Sequence, residues 1–415
     1  MAESKKHHFV AQSILRRFTD GSASERLFVF DKARDASHPS TVLAAGMENG
    51  FNVVHIDGER INFEGDFDQP DGAMANVQNR LVAARSFAVL SDADRLVLAD
   101  SAAIQLLRTK MFRSTMRSVT DAIFSDMERV GLLSGERPEL GEQDARAMAR
   151  DALHERERQR DLLSRLDLLL VEPEAGNSFW TSDNPLVRYN QQPYGETGLA
   201  SPGVEVYWPI AADLAIAFMC PTFGKRIDQG VALGDALEKP LRDQCLAIQT
   251  ALAAGTPTTL GRGRTADFLN EMQVRSSSRF IYSRDDDFAL ARSILAKSPS
   301  LKKVDSLVAV GRIGEGPGPR TNMPKGLQMV VYGRDDHLMV PLVSYASAGG
   351  GFDALFEEPA YANMLRSQLP WKEVRVFDDG AERRGMRQIK VVFGKEGGLQ
   401  RVSVRNLIAL PGLDD

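Results

Sequence analysis

Two histidines, His7 and His8, stand side by side next to Lys5 and Lys6 near the start of the chain. On a helix their side chains would diverge by about 100°, and on a strand they would face opposite ways, so the two do not share one metal ion. One can act while the other orients it; the bland alternative is a surface feature near a terminus. A second polar cluster, Ser182-Asp183-Asn184-Pro185, follows Phe179-Trp180-Thr181. The proline pushes Asn184 out of helical geometry, so a strand ends there in a tight turn, where polar side chains project at a sheet edge. Asp183 in that position can take a metal, accept a proton or bind a cation, although Asp and Asn before Pro also make ordinary Asx turns. Gln105 and Arg108 lie three residues apart, on one face of an expected helix within an otherwise apolar segment. A buried arginine there requires an acidic partner or an anionic ligand.

The elements that must position these residues are legible in outline. Val10, Ile14, Leu15 and Phe18 recur at helical spacing before Asp20-Gly21 stops them. Leu27–Phe30 and Phe51–Ile56 read as strands. From residue 73 to 171 the apolar residues fall at intervals of three and four, and three helices are the economical reading. Ser91 with Asp94 resembles a capping box that starts a long helix carrying Ile104, Leu107, Met111, Val119 and Ile123. A third helix is expected from Gln143 to Leu170, its run from His154 to Asp161 being a solvated charged face. Strands are expected at 179–181, 204–209, 214–220 and 280–282, and helices at 241–253, 265–276 and 286–296. Five glycines and three prolines between residues 311 and 326 form a linker. Beyond it, residues 327–415 read as a small strand-rich module with strands at 328–332, 338–344, 373–377, 388–393 and 401–410, and one helix at 361–369. The fold class is therefore α+β: residues 1–300 pack a helical segment on a mixed sheet, and the strand-rich module follows the linker.

Several ordered pieces carry a family resemblance. Lys5-Lys6-His7-His8-Phe9-Val10-Ala11-Gln12 followed by Leu15-Arg16-Arg17-Phe18 resembles the opening of the domain-of-unknown-function 4238 family of mostly bacterial proteins, with Ala11 where proline is usual. Phe28-Val29-Phe30-Asp31-Lys32 is similar to that family's first strand, and Gln105 through Thr109 to its Q-x-x-R-[ST] helix. Phe179 through Pro185 resembles its F-x-T-S-D-N-P signature, Trp208 through Ile216 its following strand pair, and Asn270 through Tyr282 its closing segment. The resemblance covers about residues 5–285. The family often carries two glutamates near the start of the first long helix; Glu64 matches one, and only Asp71 stands near the second place.

At these matching positions the resemblance places one candidate site. His7, His8 and Asp183 are its candidate catalytic residues, and Lys6, Gln105, Arg108, Ser182, Asn184 and Asn270 its candidate substrate-binding residues. A divalent metal, if used, is expected on His8 and Asp183. Arg108 either pairs internally with Asp183 or Glu64, or binds phosphate. A base, a carboxylate, an anion clamp and two amides suit metal-assisted hydrolysis of a phosphoester or nucleotide, in a nuclease-like manner. The same groups also suit a protein that binds an anion or nucleotide without turnover, a sensing or interaction protein of bacterial stress or phage defence. No H-x-E, H-E-x-x-H or G-x-S-x-G accompanies them to decide between the two.

Composition narrows the classes. The 415 residues carry 51 Lys plus Arg against 56 Asp plus Glu, a net charge of −5. That balance argues against a protein living on nucleic acid by bulk electrostatics, so a nucleotide or nucleic-acid substrate must be gripped locally. Residues 301–415 hold 16 basic and 14 acidic residues, so the module after the linker is a candidate protein-partner surface rather than a basic grip. Cys220 and Cys245 are too few for a disulfide framework, and a reducing cytoplasm is the expected location. The longest apolar stretch, Leu214–Cys220, is far short of the roughly 20 residues a membrane-spanning helix needs.

Overall fold

The computed structural model describes residues 6–305 except 57, 133–138, 191–197, 202, 233, 235–238 and 262, together with four strands between 327 and 393. The chain divides into two units. The first comprises Met1–Arg188, Val206–Met219 and Ile227–Val310; the second comprises Tyr189–Glu205, Cys220–Arg226 and Gly311–Asp415. The fold is α+β, and no helix among the described residues is long and apolar enough to cross a membrane.

The N-terminal strand β1 (Lys6–His8) leads into the short helix α1 (Gln12–Leu15). Strands β2 (Arg26–Asp31), β3 (Ala36–Thr41), β4 (Met47–Asn49), β5 (Val53–Ile56) and β6 (Glu59–Asn62) follow. Five helices come next: α2 (Asp68–Ala84), α3 (Asp92–Leu107), α4 (Lys110–Arg129), α5 (Glu142–His154) and α6 (Glu157–Ser164). Strands β7 (Asp167–Val171), β8 (Thr181–Ser182), β9 (Val187–Asn190), β10 (Val204–Ala211) and β11 (Leu214–Met219) precede α7 (Thr222–Ala232) and α8 (Lys239–Ala254). The rest of this region is β12 (Pro257–Thr258), α9 (Thr265–Ser276), β13 (Phe280–Ser283) and α10 (Ala289–Lys297).

Beside the two-stranded pairs β1-β4 and β5-β6, two larger sheets organise these elements among the described residues. One is mixed, in the order β12-β7-β11-β10-β9, with β12 parallel and β11 antiparallel to β7. Every residue of β10 and β11 is buried; β11 is apolar throughout, as a strand covered on both faces requires, whereas β10 carries the buried Glu205. The other sheet runs β3-β2-β13-β8, and its central β2 and β13 pair antiparallel with Phe30 opposite Ile281. On one face of that sheet Phe30, Trp180, Val274 and Ile281 pack with Phe288, Ala291, Ile294 and Leu295. Separately, Phe9, Val10 and Leu15 pack with Leu27, Val29, Val42, Phe51 and Tyr282. Gly46 lets the chain make this second cluster: its φ is +61°, and a Cβ there would lie 3.1 Å from both Val10 and Leu15. Its carbonyl accepts from the backbone N–H groups of Phe9 and Val10. In the second unit four antiparallel strands, β14 (Leu327–Asp335), β15 (Leu338–Ser347), β16 (Lys372–Asp378) and β17 (Arg387–Phe393), lie in the order β15-β14-β16-β17. The linker expected at 311–326, the helix expected at 361–369 and the strand expected at 401–410 lie outside the described residues.

The helical segment differs from the three expected helices. The long helix starting at Ser91 has the capping box, with Ser91 Oγ accepting from Asp94 N–H and the Asp94 carboxylate from Ser91 N–H. It ends at Leu107, because Thr109 takes extended backbone and caps a new helix by accepting from Phe112 N–H. The expected third helix is α5, α6 and β7: the apolar run at its end is a buried strand, which a short apolar stretch resembles equally well. The strand expected at 179–181 is confined to Thr181–Ser182, and α7 lies where no helix was expected.

Candidate functional site

The expected site residues fall into two groups with different partners. The first is built on β1 and the ends of α2 and α3. β1 pairs antiparallel with β4, setting His7 opposite Glu48 and His8 opposite Met47. The two imidazoles face opposite ways, as a strand requires: His7 is buried and His8 half-buried. His7 Nδ1 accepts from Asn52 N–H at 2.8 Å. The backbone N–H of His8 donates to Glu64 Oε1 at 3.1 Å, while Asn52 Nδ2 donates to Glu64 Oε2. Glu64 thus ties β1 to the turn that opens α2. Asn52 is itself held by Arg113, which donates to its side-chain oxygen at 2.6 Å and to Phe51 O at 2.5 Å while lying over the Phe51 ring.

Arg108 is the buried cation of this group, with a side chain 1% exposed. Its partner is Asp71, and neither Asp183 nor Glu64, the two carboxylates expected from the sequence. Both Asp71 oxygens accept from Arg108 Nη1 at 3.0 Å, and the Asp71 side chain remains 36% exposed. Arg108 Nε donates to Gln105 Oε1 at 3.1 Å, and its guanidinium lies over the Phe67 ring. Gln105 is spent on the backbone as well, donating to Phe9 O at 2.8 Å and accepting from Ala11 N–H at 3.5 Å. It therefore fastens the segment after β1 to α3, a role that replaces the expected substrate contact.

His8 is the chemically open member. Its Nδ1 faces Gln12 Nε2 at 3.4 Å, while Nε2 is buried without a hydrogen-bond partner. Burial and the nearby Arg108 charge lower its pKa to about 4, against partial opposition from the Val42 backbone and Asp71, so the ring is neutral near pH 7. Lys6, on the exposed end of β1, adds a further unfavourable charge toward protonation.

The second group interlocks β8, α9 and the start of β13. Asp183 Oδ1 accepts from Ser278 N–H, and Oδ2 from Arg279 and Phe280 N–H, each at 2.8 Å. Burial raises the Asp183 pKa while these amides and Lys32 favour its charge. With both oxygens enclosed by main-chain donors, Asp183 is an anchor for the α9–β13 turn, in place of the expected metal ligand or proton acceptor. Ser182 Oγ donates to Gln273 Oε1 at 2.6 Å, and Asn184 Nδ2 to Ser276 O at 3.0 Å. Asn270 accepts from Trp180 N–H at 2.7 Å and donates to Ser178 O at 3.0 Å. Lys32 completes the lock by donating to Val274 O and Ser277 O, both at 2.7 Å, and burial lowers its pKa to about 8. Arg279 pairs in a fork with Asp31. The motif residues Ser182, Asp183, Asn184 and Asn270 are thus consumed in holding strands to a helix.

Among the described residues, no group of three or more His, Cys, Asp or Glu side chains is placed to hold a metal ion. The metal expected on His8 and Asp183 does not fit these donor sets. A cleft of about 330 Å³ lined by Arg95, Leu96, Leu163 and Phe218 includes members of neither group. Sequence reasoning missed Gln12, Asn52 and Arg113. Gln12 had a readable signal, four residues after His8 and four before Arg16; Asn52 and Arg113 meet the site only through tertiary folding.

The fold and this geometry define an α+β protein whose N-terminal strand is strapped to a helical segment around a neutral histidine and a buried arginine paired with Asp71. Residues 6–287 match the model of the family described as protein of unknown function, DUF4238, and the chain belongs to that family. Among curated proteins and among solved structures, nothing matches the chain.

Proposed function

We propose that the His8 and Arg108 group binds a phosphate-bearing ligand, a nucleotide or a related anion, with Asp71 as the counter-ion that the ligand displaces. The observation that carries this reading is the Arg108–Asp71 pair. A guanidinium almost sealed from water depends on one carboxylate that is itself a third exposed. Such a pair is a ready exchange site, because an incoming phosphate presents oxygens that accept from the same guanidinium nitrogen. His8 Nε2, buried and unpartnered, supplies a second polar contact. Lys6 provides a further positive charge at the rim. Protein partners engaging the second unit fit a sensing role, and a cytoplasmic setting fits two free cysteines.

A second reading is phosphoester hydrolysis at the same place. One observation favours it: Asp71 is a partly exposed carboxylate paired with Arg108, so that, displaced by phosphate, it would be on hand to accept a proton from water.

Thermal unfolding of wild type, Asp71→Asn and Arg108→Met across inorganic phosphate and a nucleotide panel tests the first reading. Removing Asp71 strands a buried cation, so Asp71→Asn is expected to be less stable and to regain stability with phosphate more strongly than wild type; Arg108→Met is expected to respond to neither. Absence of ligand-dependent stabilisation in both wild type and Asp71→Asn rejects the anion seat. Turnover of the same panel, with and without added divalent metal, separates hydrolase from sensor.

A further inference from the structure

We infer that Gln12 is a positioning residue that fixes neutral His8 with its hydrogen on Nε2, so that the ring offers the site a hydrogen-bond donor and not a base. What that donor meets rests on the anion reading above; the placement of the hydrogen does not.

Donor directions run outward from a group that cannot accept. An arginine side chain carries only donors. Arg16 Nε donates to Glu25 Oε1 at 2.9 Å, and its Nη2 donates to Gln12 Oε1 at 3.2 Å. With its oxygen engaged there, the Gln12 amide turns its NH2 toward His8, where Nε2 of Gln12 lies 3.4 Å from Nδ1. An amide nitrogen donates and does not accept, so His8 Nδ1 is the acceptor. A neutral imidazole carries one hydrogen, which must then sit on Nε2. The Val42 backbone favours a proton on the same ring without reaching hydrogen-bond geometry at Nε2. His8 therefore ends a directed chain from Glu25 through Arg16 and Gln12, and its remaining donor is the unpartnered one.

This placement narrows the chemistry. A neutral Nε2–H complements a phosphoryl or carbonyl oxygen and strengthens its contact as negative charge grows there. It cannot take a proton from water in that state. Any general base in this site must then be a carboxylate, and Asp71 is the more exposed candidate of Asp71 and Glu64.

Long-range proton–nitrogen spectra of the full chain, labelled with ¹⁵N in histidine and recorded near pH 7, read the hydrogen directly. His8 is assigned by the signal lost in His8→Gln. In wild type Nδ1 is expected to appear as a bare acceptor and Nε2 as protonated. Gln12→Glu, whose carboxylate accepts from the ring, is expected to move the hydrogen to Nδ1; Gln12→Leu is expected to populate both tautomers. A wild-type His8 protonated on Nδ1 overturns the inference, even if neither variant folds. An unchanged tautomer in a folded Gln12→Glu protein also overturns it. Titration with inorganic phosphate keeps the two readings apart: a shifted Nε2–H signal supports the anion seat, whereas the expected tautomer with no phosphate response rejects the seat and leaves the role of Gln12 standing.

Discussion

His8 couples its environment to stability through a single proton. Unfolded, its imidazole titrates near 6.5; folded, burial and Arg108 lower that to about 4. Between these values the unfolded chain binds a proton that the native chain refuses, so native stability falls as pH drops from about 6.5 to about 4, and this contribution changes no further below. His8→Gln removes the titrating ring and retains an amide donor. Urea unfolding of both proteins at several pH values across that window is expected to give a shallower loss for His8→Gln. Parallel curves would show that the ring titrates normally. The same residue was legible from its motif, but its state was not: the type and position of a histidine do not say which charges fold around it.

At the level of elements, the motif residues divide by what their polar atoms do. Asp31, Lys32, Ser182, Asp183, Asn184, Asn270, Gln273 and Arg279 bond β2, β8, α9 and β13 to one another. Asp183 is the centre of that lock, and its loss should be felt in folding. Asp183→Ala would leave three half-buried N–H groups without acceptors, and Asp183→Asn would turn an NH2 donor toward amide donors. At about 1–3 kcal/mol for each unsatisfied group, Asp183→Ala is expected to lose about 3 kcal/mol or more in urea unfolding, and Asp183→Asn, which keeps one acceptor oxygen, about 1–3 kcal/mol. Near-native stability of Asp183→Asn would mean that the carboxylate is not needed as an acceptor. The order and spacing of these residues were visible in the sequence, whereas their role was not, because an aspartate before Asn-Pro is the same string whether it meets a ligand or three amides. Local signals carried the elements unevenly for a similar reason. The Ser91–Asp94 box announces the start of α3, since both partners are three residues apart. The break before α4 depends on one threonine, and Leu168–Val171 becomes a strand only because β11 and β12 lie on either side of it.

On the scale of the molecule, the family match stops at residue 287 but the core does not. Phe288, Ala291, Ile294 and Leu295 are buried against Phe30, Trp180, Val274 and Ile281, and the Phe288 ring lies 5.1 Å from Phe30 and 5.3 Å from Trp180. Phe288, Ile294 and Leu295 together account for roughly 5–9 kcal/mol of burial at about 1.5–3 kcal/mol each. That is comparable with the whole stability of an ordinary domain, about 5–15 kcal/mol. The backbone continues to bond past α10, with Val304 N–H donating to Ser278 O. The folding boundary therefore lies after residue 304 and not at the end of the family match. A fragment of residues 1–305 is expected to unfold cooperatively with native near-ultraviolet circular dichroism. A fragment of residues 1–287 is expected to lose that tertiary signal, because the face of β2 and β13 that carries Phe30 and Ile281 would open to water. If the shorter fragment unfolds at the temperature of the longer one, α10 is an appendage and the core closes without it. Every residue of the His8 group lies within residues 6–113, so in the 1–305 fragment any phosphate response is expected to match that of the full chain.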